Sequence, residues 1–252
     1  MLAAAPLPAA GVVAASGGNH GAAVAWAAAR LGVPATIFVP RVLADAVKLE
    51  RIRRLGADTR IEEGTVGEVM AAFAAHAEAT GALAVHPYDG PETVAGQGTL
   101  GREIEAAVPD LDALFVSVGG GGLIGGVAAW YAGRTRVIAV ETEGTASYAA
   151  GRRAGHAVDI APAGIAASAL GAPRLGETGA AILAARDIES VVVSDRAVTE
   201  AARTLWDAAR LSVEPGAAAA LAGLCADKVA LPPGARAGAI LCGANAGAGW
   251  FA

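Results

Sequence analysis

The sequence predicts an α/β fold of parallel sheets covered by helices. Three features predict it: short β-branched runs alternate with longer Ala-rich amphipathic stretches, turn residues stand at the junctions, and small, Gly-rich loops follow three strand exits. Such alternation is the sequence form of the βαβ unit, because parallel strands need a crossover long enough to return to the same end of the sheet.

The first run, Gly11 to Ala15, is wholly apolar and leads through Ser16-Gly17-Gly18-Asn19-His20 into an Ala-rich helix from Gly21 to Leu31. Gly32-Val33-Pro34 ends that helix, and Ala35 to Val39 reads as the second strand. A helix from Ala44 to Leu55 follows, with Lys48, Glu50, Arg51, Arg53 and Arg54 on a solvated face. Gly56-Ala57-Asp58 turns the chain into a third strand, Thr59 to Glu62, and a helix from Gly67 to Thr80 leads to a fourth, Leu83 to His86. Beyond a helix from Thr93 to Val108 come the strand Ala113 to Val118, the helix Gly122 to Ala132 and the strand Arg136 to Val140. Gly176 to Ala185 reads as a helix and Ser190 to Val193 as the seventh strand. Asp195 has the short carboxylate of an N-cap and opens a helix to Leu211. Pro215 starts the last helix, to Asp227; Pro232-Pro233-Gly234 turns the chain, and Gly238 to Leu241 is the eighth strand.

At 252 residues, 54% hydrophobic and 17% charged, the chain has enough apolar surface for a real core and too little charge to stay expanded. The expected division is a smaller βα unit, residues 1–95, and a larger one, 96–252, with a cleft between them. A net charge of -5 offers no basic footprint for nucleic acid or an anionic membrane surface, which leaves a small molecule as the expected partner. Two cysteines, Cys225 and Cys242, are too few for a disulfide framework and point to a reducing, cytoplasmic compartment. Residues 1–29 and 113–133 carry no Asp, Glu, Lys or Arg, but Pro6, Pro8 and the glycines break both, so neither reads as a membrane span.

Three loops could carry chemistry. In Val116-Ser117-Val118-Gly119-Gly120-Gly121-Gly122-Leu123 a buried strand runs into four glycines and then a helix, so backbone N–H groups can wrap an anion at a helix N-terminus. A tight turn needs one or two glycines, and four exceed that need. The same segment satisfies Gly120-x-Gly122-x-x-Gly125, with Glu141 following at the end of the next strand, which is a passable dinucleotide fingerprint and keeps a nicotinamide-dependent oxidoreductase as a rival reading. Ser16-Gly17-Gly18-Asn19-His20-Gly21 offers a hydroxyl, an amide and free N–H groups at a helix start, a set suited to a carboxylate. Leu241-Cys242-Gly243-Ala244-Asn245-Ala246-Gly247 is the third strand-exit loop.

Taken with His86-Pro87-Tyr88-Asp89, Ala95-Gly96-Gln97-Gly98-Thr99 and Glu214-Pro215-Gly216-Ala217, these loops resemble the fold-type II pyridoxal-phosphate enzymes, most closely the threonine/serine dehydratases and serine racemases. The resemblance runs nearly end to end. It implies two parallel βα domains of the tryptophan synthase β-subunit type, a cofactor cleft between them, pyridoxal 5'-phosphate as cofactor, a small amino acid as partner and a homodimer. By resemblance, Asn19 bonds the cofactor's ring oxygen, and Gly119, Gly120, Gly121, Gly122 and Leu123 cradle its phosphate. Cys242 faces the ring nitrogen as a neutral partner, which favours β-elimination over transamination. Ser16 and the amides around Gly17, Gly18 and His20 hold the substrate carboxylate. The implied reaction is dehydration and deamination of L-serine or L-threonine to a 2-keto acid and ammonia, part of amino-acid metabolism.

In that family a Schiff-base lysine precedes the Ser-Gly-Gly-Asn-His-Gly loop. Only 15 residues precede Ser16 here, and the chain's lysines, Lys48 and Lys228, read as a solvated helix face and a helix end. The expectation is therefore an N-terminally truncated enzyme with no catalytic lysine of its own, inactive by itself, or a non-catalytic cofactor-binding pseudoenzyme. No metal is expected: Glu141 has Ser147 where a second carboxylate would stand, and His20, His76, His86 and His156 lack zinc spacing.

Overall fold

The computed structural model describes residues 6–245 and 249–251. The chain divides into two compact units, Met1–Pro87 and Tyr88–Ala252. In the first, β1 (Val12–Ala15), β2 (Ala35–Pro40), β3 (Asp58–Glu62) and β4 (Leu83–Val85) form a parallel sheet in the order β3-β2-β1-β4. Its helices are α1 (Asn19–Leu31), α2 (Ala46–Arg54) and α3 (Val66–Thr80). Register follows from strand alternation: Val12 pairs with Ala35 and Leu83, and successive side chains go to opposite faces. Val12 and Ala14 join Val24, Ala28, Leu49 and Ile52 under α1 and α2. Val13, Ala15 and Phe38 face Val69 and Phe73 of α3 instead.

The second unit repeats the scheme with β5 (Ala113–Ser117), β6 (Arg136–Thr142), β7 (Glu189–Val193) and β8 (Ala237–Ala239) in the parallel order β7-β6-β5-β8. Phe115, Ile138, Val140 and Val191 pack against α9 (Asp195–Ala209) and α10 (Pro215–Cys225). Leu114, Val116 and Ala139 turn to the other face, with Val127 and Tyr131 of α5 (Gly122–Tyr131) and Leu183 of α8 (Glu177–Ala185). There α4 (Pro91–Ala107) lies so close on α5 that a Cβ on Gly126 would fall 2.4 Å from the Val94 carbonyl oxygen. Glycine is what permits that approach. Among the described residues no helix is long and apolar enough to cross a membrane.

The eight expected strands are all present, each within two residues of its expected ends. Two short helices were not expected, α6 (Ser147–Ala154) and α7 (Ala167–Leu170). The N-cap at the start of α9 is Ser194, whose Oγ accepts from Ala197 N–H at 3.2 Å. Asp195 sits one position inside and accepts from Ile165 N–H at 3.1 Å, so its carboxylate ties down a neighbouring loop rather than the helix it opens.

Candidate functional site

At the exit of β1, α1 begins at Asn19, two residues earlier than the apolar pattern indicates, so Asn19 and His20 lie in its first turn. Gly18 is the N-cap with no side-chain cap, and its own N–H donates to Ser16 Oγ at 3.1 Å. Gly21 is needed for the turn: a Cβ there would lie 2.2 Å from the Ser16 carbonyl oxygen. His20 Nε2 is 3.0 Å from the Val85 carbonyl, which assigns the ring proton to that nitrogen. Burial lowers its pKa against the pull of that carbonyl, and nearby His86 adds to the lowering. Asn19 is exposed at the end of a groove between α1 and α2, lined also by Trp26, Glu50, Arg51 and Leu55.

In the second unit the glycine loop lies between β5 and α5. Among the described residues, no protein hydrogen bond uses the N–H groups of Gly119, Gly120, Gly121 or Gly122. The Gly120 carbonyl accepts from Gly176 N–H at 3.0 Å, and that of Gly121 from Gly125 N–H at 2.9 Å. Four unused amides at a helix start make a cradle for a dianion, and no acidic side chain stands in the loop. At its base Ser117 is 4% exposed, and its Oγ lacks a hydrogen-bond partner.

The glycines also have packing reasons that the sequence concealed. A Cβ on Gly120 would sit 2.1 Å from the Tyr88 ring, one on Gly122 2.4 Å from the Tyr88 carbonyl oxygen, and one on Gly119 3.1 Å from Leu170 Cα. Gly121 has φ +83°. Packing thus calls for glycine at 120 and 122, backbone conformation calls for it at 121, and position 119 is tight, so the number of glycines is no separate sign of a ligand; the unused N–H groups are. Tyr88, which packs on the loop, was visible in the sequence only as part of a motif.

Cys242 follows β8, the sheet neighbour of β5, so the structure brings it and the glycine loop to the same end of one sheet. Part of the side chain reaches solvent. Even so, the protein around the sulfur and then the Glu214 carboxylate push its thiol up to about 11, leaving it neutral at pH 7. Of the third loop, Ala246 and Gly247 lie outside the described residues.

Glu141 does not serve as the dinucleotide fingerprint would need. It is wholly buried, and its oxygens accept from Tyr148 N–H at 2.7 Å, Ala149 N–H at 2.8 Å and Ser190 Oγ at 3.2 Å. A carboxylate spent on the first turn of α6 has no face left for a ribose, so the nicotinamide reading falls. Lys48 lies on α2, where its N–H donates to Asp45 Oδ1 at 2.9 Å. Lys228 Nζ donates to the Val192 carbonyl of the edge strand β7 at 2.8 Å, which accounts for it better than the helix-end charge expected.

The family model described as pyridoxal-phosphate dependent enzyme matches residues 1–243. Over 240 residues the chain is 36% identical to the biosynthetic L-threonine dehydratase of Escherichia coli, covering 93% of this chain and 46% of that enzyme. It is 36% identical over 248 residues to the phenylserine dehydratase of Ralstonia pickettii, covering 97% of this chain and 75% of that one. The structure of maize serine racemase superposes with a TM-score of 0.87 at 32% identity, over 94% of this chain and 74% of the other. The chain spans about half the length of the curated threonine dehydratases it matches.

Proposed function

The chain belongs to the pyridoxal-phosphate-dependent enzymes of fold type II, and from that premise we propose that it serves the dehydration and deamination of L-serine or L-threonine to a 2-keto acid and ammonia. The observation that carries the reading is the unused run of amides at Gly119–Gly122, a donor set that fits the cofactor's phosphate. Similarity to threonine and phenylserine dehydratases supports the substrate class. Bound there, the cofactor would supply an electron sink for the bonds at the amino acid's Cα.

In this reading each residue has a task. The amides of Gly119 to Gly122 and of Leu123 hold the phosphate, and Asn19 bonds the ring oxygen. Ser16 receives the substrate carboxylate together with the amides near Gly17 and His20; the Gly18 N–H, expected to join them, is already given to Ser16 Oγ. The Ser16 hydroxyl already accepts from Gly18 N–H, which leaves its proton for that carboxylate. Cys242 meets the ring nitrogen as a neutral thiol, which carries no charge to hold a proton there. Family resemblance further supports a homodimer, and two free cysteines suit the reducing cytoplasm expected from their number.

One observation favours a second reading, a chain that binds the cofactor without turning substrate over: Lys228 Nζ is given to the Val192 carbonyl, and Lys48 belongs to α2 and not to a glycine-rich loop. The test adds pyridoxal 5'-phosphate and then L-serine or L-threonine, follows keto acid and ammonia, and maps any lysine labelled after borohydride reduction. Equal yields of keto acid and ammonia are expected of the lyase. Binding without either product, and with no labelled lysine, would establish the second reading; no binding at all would overturn both.

A further inference from the structure

The segment Tyr88-Asp89-Gly90 has no task in the reading above, yet it holds the glycine loop from two sides. Asp89 Oδ2 accepts from Glu177 N–H at 2.9 Å, and Oδ1 accepts from Thr178 N–H at 3.0 Å and Gly90 N–H at 2.8 Å. The carboxylate therefore sits on the first turn of α8, where free N–H groups and the helix dipole both favour it. It lies so close that a Cβ on Gly176 would fall 2.7 Å from Asp89 Cγ.

Gly176 is the link to the loop. Its N–H donates to the Gly120 carbonyl at 3.0 Å. The Gly120 carbonyl and the Gly121 N–H belong to one planar trans peptide and point opposite ways, so fixing one fixes the other. On the other side the Tyr88 ring covers Gly120, and the Tyr88 backbone covers Gly122. Asp89 is bonded directly to Tyr88 in the chain and to α8 in space, so it joins both holds.

We propose that Asp89 is a positioning residue for the anion cradle: seated on the start of α8, it keeps Gly176 against Gly120 and thereby aims the Gly121 N–H into the cradle. The inference rests on the reading of Gly119–Gly122 as the phosphate site. Asp89 itself touches neither cofactor nor substrate in this account, and its effect on binding is confined to the phosphate.

The test titrates the full chain with pyridoxal 5'-phosphate and, separately, with pyridoxal, which lacks the phosphate. Absorbance and fluorescence report both affinities without any need for turnover. Asp89→Ala is expected to weaken pyridoxal 5'-phosphate about tenfold and to leave pyridoxal unchanged. Asp89→Asn keeps the shape and one acceptor oxygen and is expected to fall between; it carries the comparison if Asp89→Ala does not fold. Equal losses for both ligands, or no loss for either, would overturn the positioning role while leaving the phosphate reading in place. A wild-type chain that prefers neither ligand would overturn the phosphate reading itself and the inference with it.

Discussion

The ring of Tyr88 fills the space that a side chain on Gly120 would need: a Cβ built on Gly120 lies 2.1 Å from Tyr88 Cγ and 2.2 Å from Cδ2. These atoms are near the root of the tyrosine, so a small swing of the ring does not clear them. Gly120→Ala is therefore expected to cost about 1–3 kcal/mol of stability, the usual range for overpacking. Tyr88→Ala in the same chain should recover part of that loss, because the two residues compete for one volume. A double-mutant cycle in urea checks this, and strictly additive energies would show that the contact does not limit position 120.

Asp89 gives the protein an acid-sensitive joint. Partial burial raises its pKa, but the N–H groups of Gly90, Thr178 and Glu177 and the Thr178 side chain outweigh burial and lower it to about 2. A carboxyl depressed in the fold adds stability that is complete above its unfolded pKa and disappears as pH falls through the folded one. Between about pH 4 and pH 2 the wild-type chain should lose about 1 kcal/mol through this group, a figure reduced for its exposure to solvent. Asp89→Asn should remove that part of the slope. Urea unfolding at pH steps across the window measures it, and an identical slope in the variant would refute the assignment.

Much of this was legible in the sequence because the signals were local. Gly32-Val33-Pro34 ends α1 where the apolar pattern stops, with Gly32 at φ +69°. The stretch Ala113 to Val118, apolar but for Ser117, is β5 and its exit, covered on both faces. What escaped depends on partners distant in sequence. α6 has no side-chain cap of its own and carries Gly151 mid-helix. Its first N–H groups are satisfied by Glu141, which lies on β6, so no local pattern marks its start. The same limit hid the steric reason for the four glycines, since Tyr88 is some thirty residues upstream of them. A tyrosine and an aspartate just before Gly90-Pro91 are the only sequence trace of that clamp.

Glu141 should respond to pH with the opposite sign to Asp89. Burial raises its pKa, and the amides of Tyr148 and Ala149 and the Ser190 hydroxyl pull it down only in part. The native state then keeps this proton when the unfolded chain has lost it, so the unfolding free energy falls as pH rises from the ordinary carboxylate value into the raised range. Glu141→Gln should abolish that fall. It also turns one oxygen into an NH2 that faces an N–H of Tyr148 or Ala149, at an expected cost of about 1–3 kcal/mol near neutral pH. Thermal melts from acid to neutral pH separate the two effects. A variant as stable as wild type would mean that the carboxylate does not cap α6.

Cys242 is expected to be a slow thiol despite its exposure. Burial first and then the Glu214 carboxylate raise it to about 11. At pH 8 the thiolate is scarce, though each thiolate is intrinsically more nucleophilic, so iodoacetamide should modify Cys242 about tenfold more slowly than free cysteine. Cys225, also exposed, serves as a reference within the same chain. Glu214→Gln removes the negative charge, so the thiolate should form at lower pH and the rate at pH 8 should rise. Mass spectrometry of the two cysteine peptides across pH 7 to 11 reads both effects. A Cys242 rate that levels off below pH 9 would overturn the raised value. It would also count against the proposed role of Cys242, which calls for a neutral sulfur beside the cofactor's ring nitrogen.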